Sequence, residues 1–169
     1  MYSGYKRHHN FNYQAVVCSD GLIESIAGLY EGKINDHVIV QDFGLKQDLQ
    51  QVCNGQRQLF LFEDQAYKHL DEIFEPYWGE RTLTDNKAAF NRRLSSIQIV
   101  VEQAFGQTQN LWTYNAFEIQ LHSELQPVAA YYLISVLLTN CYTCIHGSSA
   151  AESQFLVLSS SIEKYLISD

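Results

Sequence analysis

The chain has 169 residues, 46% of them hydrophobic and 13% aromatic, which suits one domain with its own core and excludes a disordered segment. Its 11 Lys and Arg against 19 Asp and Glu give a formal net charge of −8, which repels a phosphate backbone unless basic side chains gather on one face. The strongest apolar run, Pro127 to Leu138, is shorter than the ~20 residues of a membrane span, so no membrane partner is expected.

Phe11, Tyr13, Ala15 and Val17 alternate with Asn12, Gln14 and Val16, the period of a strand with one side more buried than the other. Ser19-Asp20-Gly21 supplies turn chemistry, and Leu22 to Tyr30 returns as the antiparallel partner of a hairpin. Asn35 and Asp36 offer oxygens to the free amides of a helix start. Val38, Ile39, Phe43, Leu45, Leu49 and Val52 follow at helical spacing, with Gly44 expected to bend or divide the helix. Gln58 to Phe62 reads as a buried strand that runs into Glu63-Asp64, so its carboxyl end presents acids at the edge of the core. Beyond a loop at Glu75 to Gly79, Thr84 caps a long helix whose Phe90, Leu94, Ile97, Val101 and Ala104 form an apolar line, with a stop expected at Gly106. A last helix from Pro127 to about Gly147 is apolar nearly all round, as an element packed on several sides should be. Ser148 to Ser161 is rich in Ser and Ala, which sets the expected organisation as a domain over 1–147 and a tail over 148–169. The order of elements gives an α/β class.

Four short motifs stand in order along the chain: Tyr2-Ser3-Gly4-Tyr5-Lys6-Arg7-His8-His9; Glu31-Gly32 with Asn35-Asp36; Asp64-Gln65-Ala66-Tyr67; and Val101-Glu102-Gln103-Ala104-Phe105-Gly106. As a set they resemble the DDE superfamily endonuclease domain of PIF/Harbinger transposases, up to about Gly147. The resemblance implies an RNase H-like fold, a mixed sheet with flanking helices that brings three acids to one place. It makes Asp64 the second acid and Glu102 the third, both catalytic as ligands of a divalent metal, Mg²⁺ or Mn²⁺. Carboxylate oxygens suit such hard cations, and metal-held water or 3′-hydroxyl is the nucleophile that phosphodiester chemistry needs. DNA is the implied substrate, a separate DNA-binding protein the implied partner, and the nucleus the implied location, with the cytoplasm second.

The family's first acid lies in an I-D-G strand upstream of the Tyr2 to His9 segment and is not among these residues. The expectation is therefore a domain truncated by its first strand and inactive by itself, with a non-catalytic, domesticated DNA- or protein-binding module as the alternative. Glu63 stands where the family usually has Gly, and Gln107 to Asn110 stand where it tends to carry Lys or Arg. Lys6, Arg7, Arg92 and Arg93 are the basic residues left for nucleic-acid contact, against the plainer reading of solvated charge.

Other residues have plainer readings. Asp20 sits in a hairpin turn that points its side chain toward water. Asp36 is accounted for by helix capping. Cys141, Cys144 and His146 lack the second ligand pair of a structural zinc site, so buried thiols at a helix end are expected. With no charged and apolar leader pattern at the start, Cys18, Cys53, Cys141 and Cys144 are expected as reduced thiols. Tyr131 and Tyr132 are expected to pack in the core rather than stack on bases.

Overall fold

In the computed structural model the described residues are 11–31, 34, 38–39, 44, 61–62, 73–74, 76–77, 84–115 and 128–167. Strand β1 is Phe11–Val17 and β2 is Ile23–Glu31, and they pair as a two-stranded sheet. With only residues 18–22 between them the strands must run antiparallel, since a parallel return needs a long crossover. The turn closes through the Cys18 amide on the Leu22 carbonyl at 2.8 Å and the Gly21 amide on the Cys18 carbonyl at 3.0 Å. Gly21 has φ +85°, and a Cβ there would lie 2.5 Å from Ser148 Cβ, so both backbone angle and space demand glycine. The expected contrast between the two strand faces is not seen: residues 12–18 are all half-buried.

Two short strands, β3 (Leu61–Phe62) and β4 (Ile73–Phe74), pair in parallel with Leu61 opposite Ile73 and Phe62 opposite Phe74. The Phe62 and Phe74 rings stack at 5.7 Å, and Phe90 stands against Phe74 at 6.1 Å and edge-on to Tyr77 at 5.2 Å. Val38 and Ile39 are helical with Ile39 buried, Gly44 has φ +69°, and the rest of the helix expected through Val52 lies outside the described residues.

The long helix α1 is Asp85–Asn110. The Thr84 carbonyl accepts the Ala88 amide at 3.0 Å, which places Thr84 at the expected start. Its buried line is Leu94, Val100, Ala104 and Thr108. Gly106 does not stop the helix. One glycine costs a helix only ~1 kcal/mol relative to alanine. The next turn is anchored, with Thr108 donating from Oγ1 to the Ala104 carbonyl at 2.9 Å and Leu111 N to Gln107 O at 2.9 Å. A 3-10 turn at Thr113–Asn115 follows, and Asn115 Nδ2 donates to the Thr108 carbonyl at 2.8 Å.

Helix α2, Val128–His146, lies where the apolar run placed it, but its burial is inverted. Ser135, Thr139, Asn140 and Thr143 are buried together with Tyr132 and Val136, while Leu133, Ile134, Leu137, Leu138 and Ile145 are exposed. Two of these hydroxyls turn inward because they find acceptors in their own helix: Ser135 Oγ donates to the Tyr131 carbonyl at 2.8 Å and Thr139 Oγ1 to the Ser135 carbonyl at 2.7 Å. Two short helices follow, α3 at Ser149–Phe155 and α4 at Ile162–Ile167. Strands and helices thus combine in an α/β composition consistent with an RNase H-like arrangement. The chain divides into two units, residues 1–14 with 27–98 and residues 15–26 with 99–169.

Candidate functional site

Glu102 sits in the middle of α1, and the helix period dictates its exposure. Val100 and Ala104, two residues to either side, are both buried, and a residue two positions away on a helix points to the opposite face. Glu102 is accordingly exposed, which spares its carboxylate the cost of unpaired burial.

The neighbouring Gln103 fixes that orientation. Its Oε1 accepts from the Ala150 amide at 3.0 Å and from Ser148 Oγ at 3.3 Å, and its Nε2 donates to Ser149 Oγ at 3.2 Å. Ser148 in turn caps α3 by accepting the Ala151 amide at 3.3 Å. One amide side chain therefore ties α1 to the start of α3 and holds the roll of the helix that presents Glu102.

Asp64 and Glu63 lie outside the described residues, as do Lys6 and Arg7. Arg92 and Arg93 are exposed on the first half of α1. Nearby, Lys87 Nζ stands 4.9 Å from the centre of the Tyr77 ring, and Asn91 exchanges hydrogen bonds with the Tyr77 backbone at 2.9 and 3.0 Å. Among the described residues no three His, Cys, Asp or Glu side chains converge on a point that could hold a metal. The donor chemistry of Glu102, a solvent-facing carboxylate, fits a hard divalent cation as one ligand.

Several residues carry more than the sequence revealed. Asp20 does not project into water: Oδ1 accepts the Leu22 amide at 3.2 Å, Oδ2 accepts Ser160 Oγ at 3.2 Å, and its carbonyl accepts Ser159 Oγ at 2.8 Å. The turn chemistry was readable, but its partners lie at the other end of the chain. Asn140 accepts the Ile23 amide on Oδ1 at 2.9 Å and donates from Nδ2 to the Ile23 carbonyl at 2.8 Å and to Tyr165 Oη at 3.0 Å. A polar pair, Thr139-Asn140, inside an apolar run was the available signal.

Tyr132 is buried as expected, whereas Tyr131 is exposed and tilts against Tyr114 at 5.9 Å. Cys18, Cys141 and Cys144 are free thiols, each half-buried, and His146 lies against the Tyr142 ring at 4.3 Å. Burial, helped by Glu24 and Asp20, pushes the Cys18 thiol up to about 11, so it stays protonated and unreactive at neutral pH. Burial also raises Cys144, with Cys141 and Asp20 adding to it.

No helix among the described residues is long and apolar enough to cross a membrane. The family model described as DDE superfamily endonuclease matches residues 1–140, a span that includes both Glu102 and Asp64. Members of that superfamily use divalent metal ions and act on DNA. No curated protein and no solved structure matches the chain. With more than half of its length matched, the chain belongs to the DDE superfamily endonucleases.

Proposed function

We propose that the chain is a domain of the PIF/Harbinger transposase kind, whose chemistry is metal-dependent cleavage of DNA phosphodiester bonds. The observation that carries the reading is Glu102, exposed in mid-helix within V-E-x-A-F-G and inside the matched region. Asp64 and Glu102 are its metal ligands, for Mg²⁺ or Mn²⁺. When bound, such an ion supplies activation of the attacking water or 3′-hydroxyl and neutralisation of the leaving oxygen. Gln103 is a positioning residue, since its bonds to Ser149 and Ala150 fix the roll of α1 beside Glu102. Arg92 and Arg93, with Lys6 and Arg7, are the side chains for phosphate contact. A net charge of −8 makes DNA binding by this chain weak, which supports a separate DNA-binding partner.

By the same correspondence residues 1–169 contain the second and third acids and not the first, so cleavage by these residues alone is expected to be slow. The test is Mn²⁺ titration followed by the loss of the free-ion EPR signal, with plasmid nicking in Mg²⁺ as a second readout. Asp64→Asn and Glu102→Gln are each expected to weaken Mn²⁺ binding at least about tenfold while leaving the helical circular dichroism unchanged. Binding that survives both substitutions sinks the metal site. Robust nicking abolished by Asp64→Ala sinks the claim of low activity.

A further inference from the structure

Between Val128 and His146, α2 contains no Asp, Glu, Lys or Arg. Its outward residues nonetheless follow a regular pattern. The exposed Ala130, Ile134 and Leu137 and the half-buried Cys141 and Cys144 recur at intervals of four, three, four and three, the spacing of a coiled-coil seam, with the exposed Leu133, Leu138 and Ile145 beside it. Ile134 is 53% exposed, Leu137 49% and Ile145 62%, so the seam faces outward. The inward face is already occupied: Asn140 binds Ile23 and Tyr165, and Thr139 accepts the Trp112 indole N–H at 2.9 Å. A rotation of α2 that turned the leucines inward would break those bonds.

We propose that this outward face of α2 is a self-association surface, on which α2 of a second copy packs antiparallel about a two-fold axis at Leu137. Three observations select a second copy as the occupant. The first is area. The exposed parts of these side chains amount to on the order of 500 Å², the scale at which an apolar patch marks an interaction site. Pairing two copies buries on the order of 1,000 Å², which reaches the lower bound for a specific interface.

The second is charge. A partner chosen by charge complementarity would find nothing to pair with on this helix. Two copies carrying −8 each can approach along it without bringing acidic side chains together.

The third is size. With the axis at Leu137, the branched Ile134 faces the small Cys141 of the second copy, Ala130 faces Cys144 and Leu137 meets itself. A parallel pairing sets Ala130 against Ala130 and Ile134 against Ile134, which leaves gaps at one layer and crowding at the next. The antiparallel arrangement removes the Ile134 against Ile134 layer and puts a thiol in place of a methyl opposite Ala130.

Sedimentation velocity of the full 169-residue chain tests the surface, and Ile134→Cys tests the register. A dimer is expected for the parent, and a monomer with unchanged circular dichroism for Leu137→Glu, a site exposed enough to take a charge without unfolding. With oxidised glutathione as the oxidant, Ile134→Cys is expected to give a disulfide-linked dimer that disappears when Cys141→Ser is added. A parent that stays monomeric at every concentration overturns the proposal and leaves the face to a different partner. A dimer that survives Leu137→Glu also overturns it, and a crosslink that forms without Cys141 overturns the antiparallel register.

Discussion

At Asn140 a single side chain does what a neighbouring strand would do. It takes up the N–H of Ile23 and meets the C=O of the same residue, so both backbone groups at the start of β2 are satisfied by an amide from α2. Asn140→Ala removes both partners at a buried site, and with ~1–3 kcal/mol for each of the two orphaned groups the expected loss is about 2–6 kcal/mol, read from urea unfolding. A loss within the error of the measurement would mean that water reaches Ile23. The residue scale is also where the sequence was least legible. Local pattern shows that Asn140 interrupts an apolar run but not that its partner lies 117 positions earlier. Asp20 was misread for the same reason, since its turn was visible and Ser159 and Ser160 were not. The exposure of Glu102 was partly legible, because an acid two residues from core positions on both sides has one face left to it. The proposed pairing of Asp64 with Glu102 rests on the family motifs alone, and Asp64 lies outside the described residues.

Among the elements, those with long periodic patterns were legible. The hairpin, α1 and α2 fall within a residue or two of their expected ends, apart from the extension of α1 past Gly106. The two-residue strands β3 and β4 are too short to show a period, and β4 was missed. In α2 the hydropathy of the whole run suggested burial on several sides, while Ser135, Thr139 and Thr143, four residues apart, already marked one face. That stripe turned out to be the inner one.

Buried threonines separate two kinds of hydroxyl. Thr108 Oγ1 only returns a bond to its own helix, whereas Thr139 also accepts the indole N–H of Trp112. Thr139→Val is expected to cost about 1–2 kcal/mol because it leaves that donor without an acceptor, and Thr108→Val less than about 0.5 kcal/mol, since donor and need disappear together. Chemical denaturation of the two variants side by side measures the difference, and equal losses would show that the Trp112 bond adds nothing.

For the whole molecule the governing quantity is the charge of −8. A self-association surface free of charged side chains opposes that repulsion with apolar contact alone, so screening should help it. The dimer is expected to tighten as sodium chloride rises from low to physiological ionic strength, where the Debye length falls to about 8 Å. Contact with DNA runs the other way, because phosphate binding by basic side chains weakens with salt. Sedimentation equilibrium across a salt series distinguishes the two, and a dimer that dissociates on adding salt would point to ion pairs across the interface.

The tether from Asp20 to Ser159 and Ser160 also sets an order of events during synthesis. The hairpin turn is made early, yet the hydroxyls that hold it are 139 and 140 residues further along. A ribosome must therefore release the chain past Ser160 before β1 and β2 can take up their final anchorage. Until then the first strands are a nascent edge in need of shelter, and the short link between α3 and α4, modest in the finished fold, acts as its closing stitch.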